Sequence, residues 1–367
     1  MRRVKVKDLV PGMRVGMAVL GPNNEIYLKA GVKITGGYIT RLLELGFSWI
    51  YIDEGLVDYS SVPDVIMPAT RTRAIEQVRQ VILEALASQT KLVTIPPALN
   101  ETVNEMIEQL TDNPSAMVNL ADIRTEDEYL YHHSVNVCVL ALITGIRLGL
   151  DRTRLYTLGV GALMHDIGKI QIPDDVLYKP GKLTREEFEI IKKHPVYGRD
   201  LLAFDPDVAA IAYAHHERFD GGGYPLGLKG ADLGLEAQIV GIADIFDALT
   251  ADRIYRPAQP VHEAYEMLAA AGNYWFHFDL LQAFLANVAA YPTGTIVELN
   301  TGEVGVVIDT PPGYPRFPNL KVLTGPEMRG LKQPYALATL TTNRWVARVL
   351  TQEQFLGLRF VQQDSAL

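Results

Sequence analysis

The chain has 367 residues, 48% hydrophobic and 21% charged, an ordinary globular composition with length for two or three domains. Its formal net charge of −9 argues against generic binding to duplex nucleic acid, whereas a small anionic substrate held by bound cations stays compatible. The single cysteine, Cys138, lies in an apolar run from Val135 to Ile146; it reads as a buried small hydrophobe, and one cysteine excludes a disulfide framework or a cysteine zinc site.

The first eight residues carry Arg2, Arg3, Lys5 and Lys7 and lack an apolar signal core. The longest nearly continuous apolar stretch ends at Arg147 and is too short to span a bilayer. A cytoplasmic protein without a membrane span is expected.

Residues 1–55 mix short strand-like runs with turns at Pro11-Gly12, Gly21-Pro22 and Gly36-Gly37. A short helix is expected over about Tyr38 to Leu45, then a strand at Trp49 to Ile52, which makes 1–67 a small α+β module. Over 68–113, Ile75, Val78, Ile82 and Leu86 recur at helical spacing. Pro96-Pro97 opens a second helix with Val103, Met106, Ile107 and Leu110 on one face. These two helices either join the domain that follows or form a helical linker, taken here as 68–113.

From 114 to 290 the pattern is helical. Asp205-Pro206 is a capping side chain followed by proline in the first turn, and Thr184 to Glu187 has capping-box spacing. The long irregular stretch, about 219–235, opens with Gly221-Gly222-Gly223-Tyr224-Pro225, which no regular helix accommodates. After Tyr291-Pro292, strands are expected at Thr295–Leu299, Glu303–Asp309 and Leu320–Leu323, forming a small β-rich module over 291–367. The fold class is therefore mainly α, with small α+β and β modules flanking an all-helical domain.

Of the eight histidines, five have a carboxylate or lysine close by: His133, His165, His194, His215 and His216. In His165-Asp166-Ile167-Gly168-Lys169, an aspartate can bridge two ions while the histidine binds one. Gly168 would end the helix and release Lys169 toward a phosphate. Pro195 places His194 at a helix junction, and His215-His216 ends a helix before the glycine loop. Asp244, among apolar neighbours, is expected to face inward. Such imidazoles and carboxylates suit iron, manganese, zinc, nickel or cobalt better than magnesium or calcium, and two ions form a clamp for displacement at phosphorus. His132, His262 and His277 are expected to be structural, Trp275 and Phe276 to be core, and Asp247 to lie behind the ligands or cap a helix.

The order and content of five segments resemble the HD-GYP domain, a bacterial group of HD-domain metal-dependent phosphohydrolases. They are His133 to Val137, HDIGKIQIPDDVLYKPGKLT from His165, KKHPVYG around His194, HHERFDGGGYPLGLKG from His215 and ADIFDALTADRIYRPA from Ala243. The resemblance implies an HD-type catalytic domain over 114–290. It implies a phosphodiesterase that hydrolyses cyclic di-GMP to pGpG, with some members going on to GMP, through a two-metal-activated hydroxide. His133, His165, Asp166, His194, His215, His216 and Asp244 match the family's metal ligands, with Asp166 as the bridge. The implied cofactor is two divalent ions, iron or manganese foremost. Asp166 and Lys169 match catalytic positions; Lys169, Arg253, Arg256 and Tyr224 match substrate contacts. The Gly221–Pro225 loop matches a site for docking diguanylate cyclases or other signalling proteins, and a dimer is compatible. Some members carry a glutamate four residues before the histidine matching His133, which helps hold a third metal. Tyr129 stands there, so two metals and weak cleavage of pGpG are expected. The alternatives are a catalytically weak cyclic di-GMP-binding or docking module, and a phosphodiesterase for a related cyclic dinucleotide.

Overall fold

A computed structural model describes residues 2–16, 18–21, 26–47, 49–53, 65–87, 92–113, 117–118, 129–251, 258–327, 330–351, 354–355 and 357. The chain divides into two compact units. One takes Met1–Pro63, Met117–Glu126 and Val288–Leu367; the other takes Asp64–Ala116 and Asp127–Asn287.

The amino-terminal part of the first unit begins with β1 (Arg2–Lys5), β2 (Arg14–Val15), β3 (Val19–Leu20) and β4 (Ile26–Leu28), followed by α1 (Gly36–Glu44) and β5 (Trp49–Asp53). Strands β1, β5 and β2 form an antiparallel sheet in that order, with Val4 opposite Ile50, and β3 pairs with β4. Alternation sends Val4, Ile50 and Ile52 to one core with Leu42 and Phe47. Helix α1 starts where the Thr35 hydroxyl accepts the Tyr38 amide.

The second unit is helical. It contains α2 (Pro68–Ala87), α3 (Pro97–Asp112), α4 (Tyr129–Arg147), α5 (Arg152–Met164), the short α6 (Asp174–Leu177) and α7 (Arg185–Ile191). These are followed by α8 (His194–Leu201), α9 (Pro206–Ala214), α10 (Leu235–Thr250), α11 (Val261–Ala270) and α12 (Phe278–Leu285). Helix α4 packs on α5 and α10, and α2 and α3 pack on α4. The four expected apolar residues of α3 are buried, each worth about 1.5–3 kcal/mol relative to exposure. On α2 the buried stripe runs through Ala74, Val78, Val81 and Ile82, while Leu86 is exposed. The helix expected from that spacing forms, and its buried stripe, set by contact with α3 and α4, ends before the last turn. The capping box at Thr184 and the Asp205 cap form as expected.

In the carboxy-terminal part of the first unit, β6 (Ile296–Leu299), β7 (Val304–Asp309), β8 (Asn319–Thr324), β9 (Gly330–Ala338) and β10 (Val346–Val349) form one antiparallel sheet ordered β10-β6-β7-β8-β9. The last two strands were not anticipated: β9 is largely exposed, so its side chains carry little apolar alternation. No helix among the described residues is long and apolar enough to cross a membrane. The class is as expected, mainly helical with small strand-bearing flanks.

Candidate metal centre

Seven side chains converge from helix ends and helix faces of the second unit. His165 closes α5 and Asp166 follows it; His194 opens α8; His215 closes α9 and His216 follows; His133 projects from α4 and Asp244 from α10. Chain reversal at these ends lets one short segment present adjacent ligands. Three of the rings are anchored by their own segment: Nδ1 of His165 meets the Ala162 carbonyl at 2.7 Å, Nδ1 of His194 the Ile191 carbonyl at 2.7 Å, and Nδ1 of His215 the Ala212 carbonyl at 2.8 Å. A carbonyl only accepts, so Nδ1 carries the proton and the Nε2 lone pair faces inward. His133 instead donates from Nδ1 to Oδ2 of Asp247 at 2.7 Å.

Asp166 is only 3% exposed and lies between two groups of ligand atoms. Its Oδ1 is 3.3 Å from Nε2 of His194 and 3.9 Å from that of His215; its Oδ2 is 3.4 Å from Nε2 of His165 and 3.8 Å from that of His133. Asp244 Oδ1 lies 3.1 Å from His133 Nε2 and 3.9 Å from His165 Nε2, while its Oδ2 lies 3.8 Å from His216 Nδ1. Two sets of potential ligand atoms result, each within 4.8 Å of one another: Asp166, His194, His215 and His216, and His133, His165 and Asp244.

The donor set fits metal cations. His165 Nε2 and Asp166 Oδ1 are buried with no hydrogen-bond partner, an arrangement that costs free energy unless a cation or water completes it. Nε2 of His194 and Nε2 of His215 face each other at 3.4 Å, two lone pairs that repel unless positive charge sits between them or beside them. Burial lowers His194 to about 3 and His216 to about 4, and pushes His215 down as well, so these rings are neutral donors at pH 7. Burial alone would raise Asp166, but Lys169 and His165 hold its carboxyl well below the usual range. Burial likewise opposes ionisation of Asp244, and the bond to His133 overcomes it. His133 goes the other way from these three: burial opposes its charge, yet Asp244 and Asp247 raise it.

The surroundings correct one expectation and add others. Helix α5 ends at Met164, and Gly168 lies within a 3-10 turn, Ile167–Gln171. Gly168 thus does not end the helix. A Cβ there would overlap the His194 carbonyl oxygen and the Gly198 amide nitrogen, so its role is to let α8 approach closely. Lys169 lies in the same tight turn, and its Nζ pairs with Oδ2 of Asp166. Tyr224 stacks on His216, ring centroids 4.7 Å apart. Gly223 permits this, since a Cβ would collide with the backbone of His216 to Arg218. Arg253 and Arg256 lie outside the described residues. His132, His262 and His277 belong to neither ligand set; His277 caps α12. Phe276 is buried, whereas Trp275 is half-buried under the Arg218 guanidinium. Asp247 lies behind His133, one of its two expected places. Cys138 and Asp244 are buried as expected.

Two supporting residues escaped the sequence. Glu217, 3% exposed, accepts the amides of Leu226, Gly227 and Leu228 at 2.5, 3.1 and 3.0 Å, pinning the glycine-rich loop beside the histidine pair. Its position directly after His215-His216 was the only signal. Asn136 donates from Nδ2 to Oδ1 of Asp247 at 2.9 Å; it shares a face of α4 with His133, one turn away.

An HD domain family model matches residues 105–280, and a model of a KOW domain associated with HD domains matches residues 296–357. The chain is 32% identical over 301 residues to the cyclic di-GMP phosphodiesterase PA4108 of Pseudomonas aeruginosa, covering 74% of this chain and 72% of that protein. It is 33% identical over 239 residues to the cyclic di-GMP phosphodiesterase response regulator RpfG of Xanthomonas campestris, covering 64% and 62%. A 35% match over 165 residues joins it to 3'3'-cGAMP-specific phosphodiesterase 1 of Vibrio cholerae, covering 44% and 38%. With these matches and a buried His/Asp cluster suited to metal, the chain belongs to the HD-domain phosphohydrolases, in their HD-GYP cyclic di-GMP phosphodiesterase family.

Proposed function

We propose that the chain hydrolyses cyclic di-GMP to pGpG, water adding its hydroxyl to phosphorus and its proton to the departing 3′ oxygen. The observation that carries this is Asp166, buried between two ligand sets with one carboxylate oxygen toward each. His194, His215 and His216 would hold one divalent ion and His133, His165 and Asp244 a second, with Asp166 shared. The ions, iron or manganese foremost and zinc, nickel or cobalt as alternatives, would supply Lewis acidity that activates water and offsets phosphate charge. Lys169 Nζ, part-exposed at the edge of the cluster, neutralises charge growing on the phosphate oxygens. The Tyr224 ring, stacked on His216, forms a wall for the dinucleotide; Arg253 and Arg256 are assigned to its phosphates by the family motif alone. The buried Nδ1 anchors keep the imidazoles from turning their lone pairs away.

The test is anaerobically purified protein with Mn²⁺ or Fe²⁺ and cyclic di-GMP, read by chromatography for pGpG and GMP. We expect pGpG to accumulate with little GMP, and two ions per chain by elemental analysis. Tight binding without pGpG would replace the enzyme with a binding or partner-docking module, and three tightly held ions would refute the two-metal assignment. A second reading, a mixed cyclic GMP-AMP substrate, is favoured by the likeness to the cGAMP-specific relative; competition among dinucleotides separates the two.

A further inference from the structure

His133 differs from the other anchored rings because it sits inside a helix rather than at an end. Its turn's carbonyls are committed to backbone bonds, so its ring needs an acceptor from elsewhere. Asp247 supplies it, and Asp247 is itself held. Arg71 Nη1, on α2, donates to Oδ1 of Asn136 at 2.9 Å; Asn136 Nδ2 donates to Oδ1 of Asp247 at 2.9 Å; Asp247 Oδ2 accepts from His133 Nδ1 at 2.7 Å. Nε2 of His133 then lies 3.1 Å from Asp244. Asn136 and His133 are one turn apart on α4, as Asp247 and Asp244 are on α10, so two paired faces meet. The orientation is not arbitrary. A guanidinium only donates and must meet the amide oxygen, which turns the amide nitrogen toward a carboxylate that only accepts.

We infer that Arg71 is a positioning residue for the metal centre. Through Asn136 it sets the carboxylate of Asp247, and thereby the ring of His133. Arg71 precedes residue 105, where the family match begins, so a helix outside that match holds one histidine of the cluster. The inference rests on the metal assignment above and not on the substrate.

The experiment uses the full chain, metal-free, as wild type, Arg71→Met and Arg73→Met. Arg73, on the same helix, pairs with Glu105 and serves as the control. Mn²⁺ titration by calorimetry should give two sites in wild type and in Arg73→Met. In Arg71→Met one site should weaken about tenfold, within the range seen when partners behind metal ligands are removed, and the other should stay within about twofold. Arg71→Lys should recover part of the loss. Two unchanged affinities in Arg71→Met overturn the inference, as does a lowered melting temperature with both affinities intact. A measurement on wild type stands even where Arg71→Met does not fold: long-range ¹H–¹⁵N spectra of the metal-free protein should show His133 protonated at Nδ1. A neutral Nε2–H ring at His133 overturns the relay. Loss of dinucleotide hydrolysis in wild type with these results intact would sink the proposed function and leave Arg71's role standing.

Discussion

The metal centre holds its histidines by two different means. His165, His194 and His215 each lean on a carbonyl three residues earlier in their own segment. His133 leans on Asp247, 114 residues away. The first kind of anchor forms whenever the local turn forms. The second exists only when α4 and α10 are packed. His165, His194 and His215 are therefore as robust as their helix ends, and the ligand set that contains His133 depends in addition on the helical core behind it. Their charges differ in step: burial keeps His194 and His215 neutral, while two carboxylates raise His133.

The sharpest way to break this division is to remove the residue common to both ligand sets. Asp166→Ala should cut turnover by about 1,000-fold or more and release both ions, with the helical circular dichroism signal retained; a clean preparation that kept turning over would end the mechanism. Lys169→Ala keeps every ligand and removes only the neutralising charge. There kcat should fall by about 100-fold with two ions still counted, and loss of metal instead would make Lys169 a structural partner of Asp166. Asp247→Ala touches one set alone. Metal affinity should fall by about 10–100-fold at one site, and equal weakening of both would show that the sets are not separable.

The smallest effect concerns pH and the metal-free protein. His194 and His216, near 3 and 4 against a reference of 6.5, take up protons more readily in the unfolded chain. Acidification from pH 6.5 toward 4 thus favours unfolding through these groups and through His215. His133 is raised, so its contribution is present at low pH and is lost as pH rises through its folded value. Three groups oppose one, and the melting temperature should drop from pH 7 to pH 4.5. Bound metal should flatten the curve at its neutral end. A level curve in the metal-free protein would contradict the assigned neutral rings.

Much of this was legible in order along the chain. The capping signals at Thr184 and Asp205, the apolar face of α3 and the junction at His194 depend on neighbours within one turn, and they form as expected. Spacing marked α2 as a helix but did not say which of its residues are buried, because burial there depends on what lies opposite. Gly168 was misjudged for the same reason: its missing side chain answers the backbone of α8 rather than the end of α5. Glu217 and Asn136 carry no periodic signal, because their partners lie ten and 111 residues away.

The amino-acid sequence alone determined which ligands exist, and that they occur in short blocks compatible with metal and phosphate chemistry. Imidazole and carboxylate groups carry that chemistry wherever they sit, and helix-end turns are local events. Only the tertiary structure decided which oxygen of Asp166 faces which histidines, that Lys169 folds back on it, and that Arg71 and Asn136 stand behind His133. Those relations depend on distances between helices far apart in the chain, which packing sets and spacing along the chain does not encode.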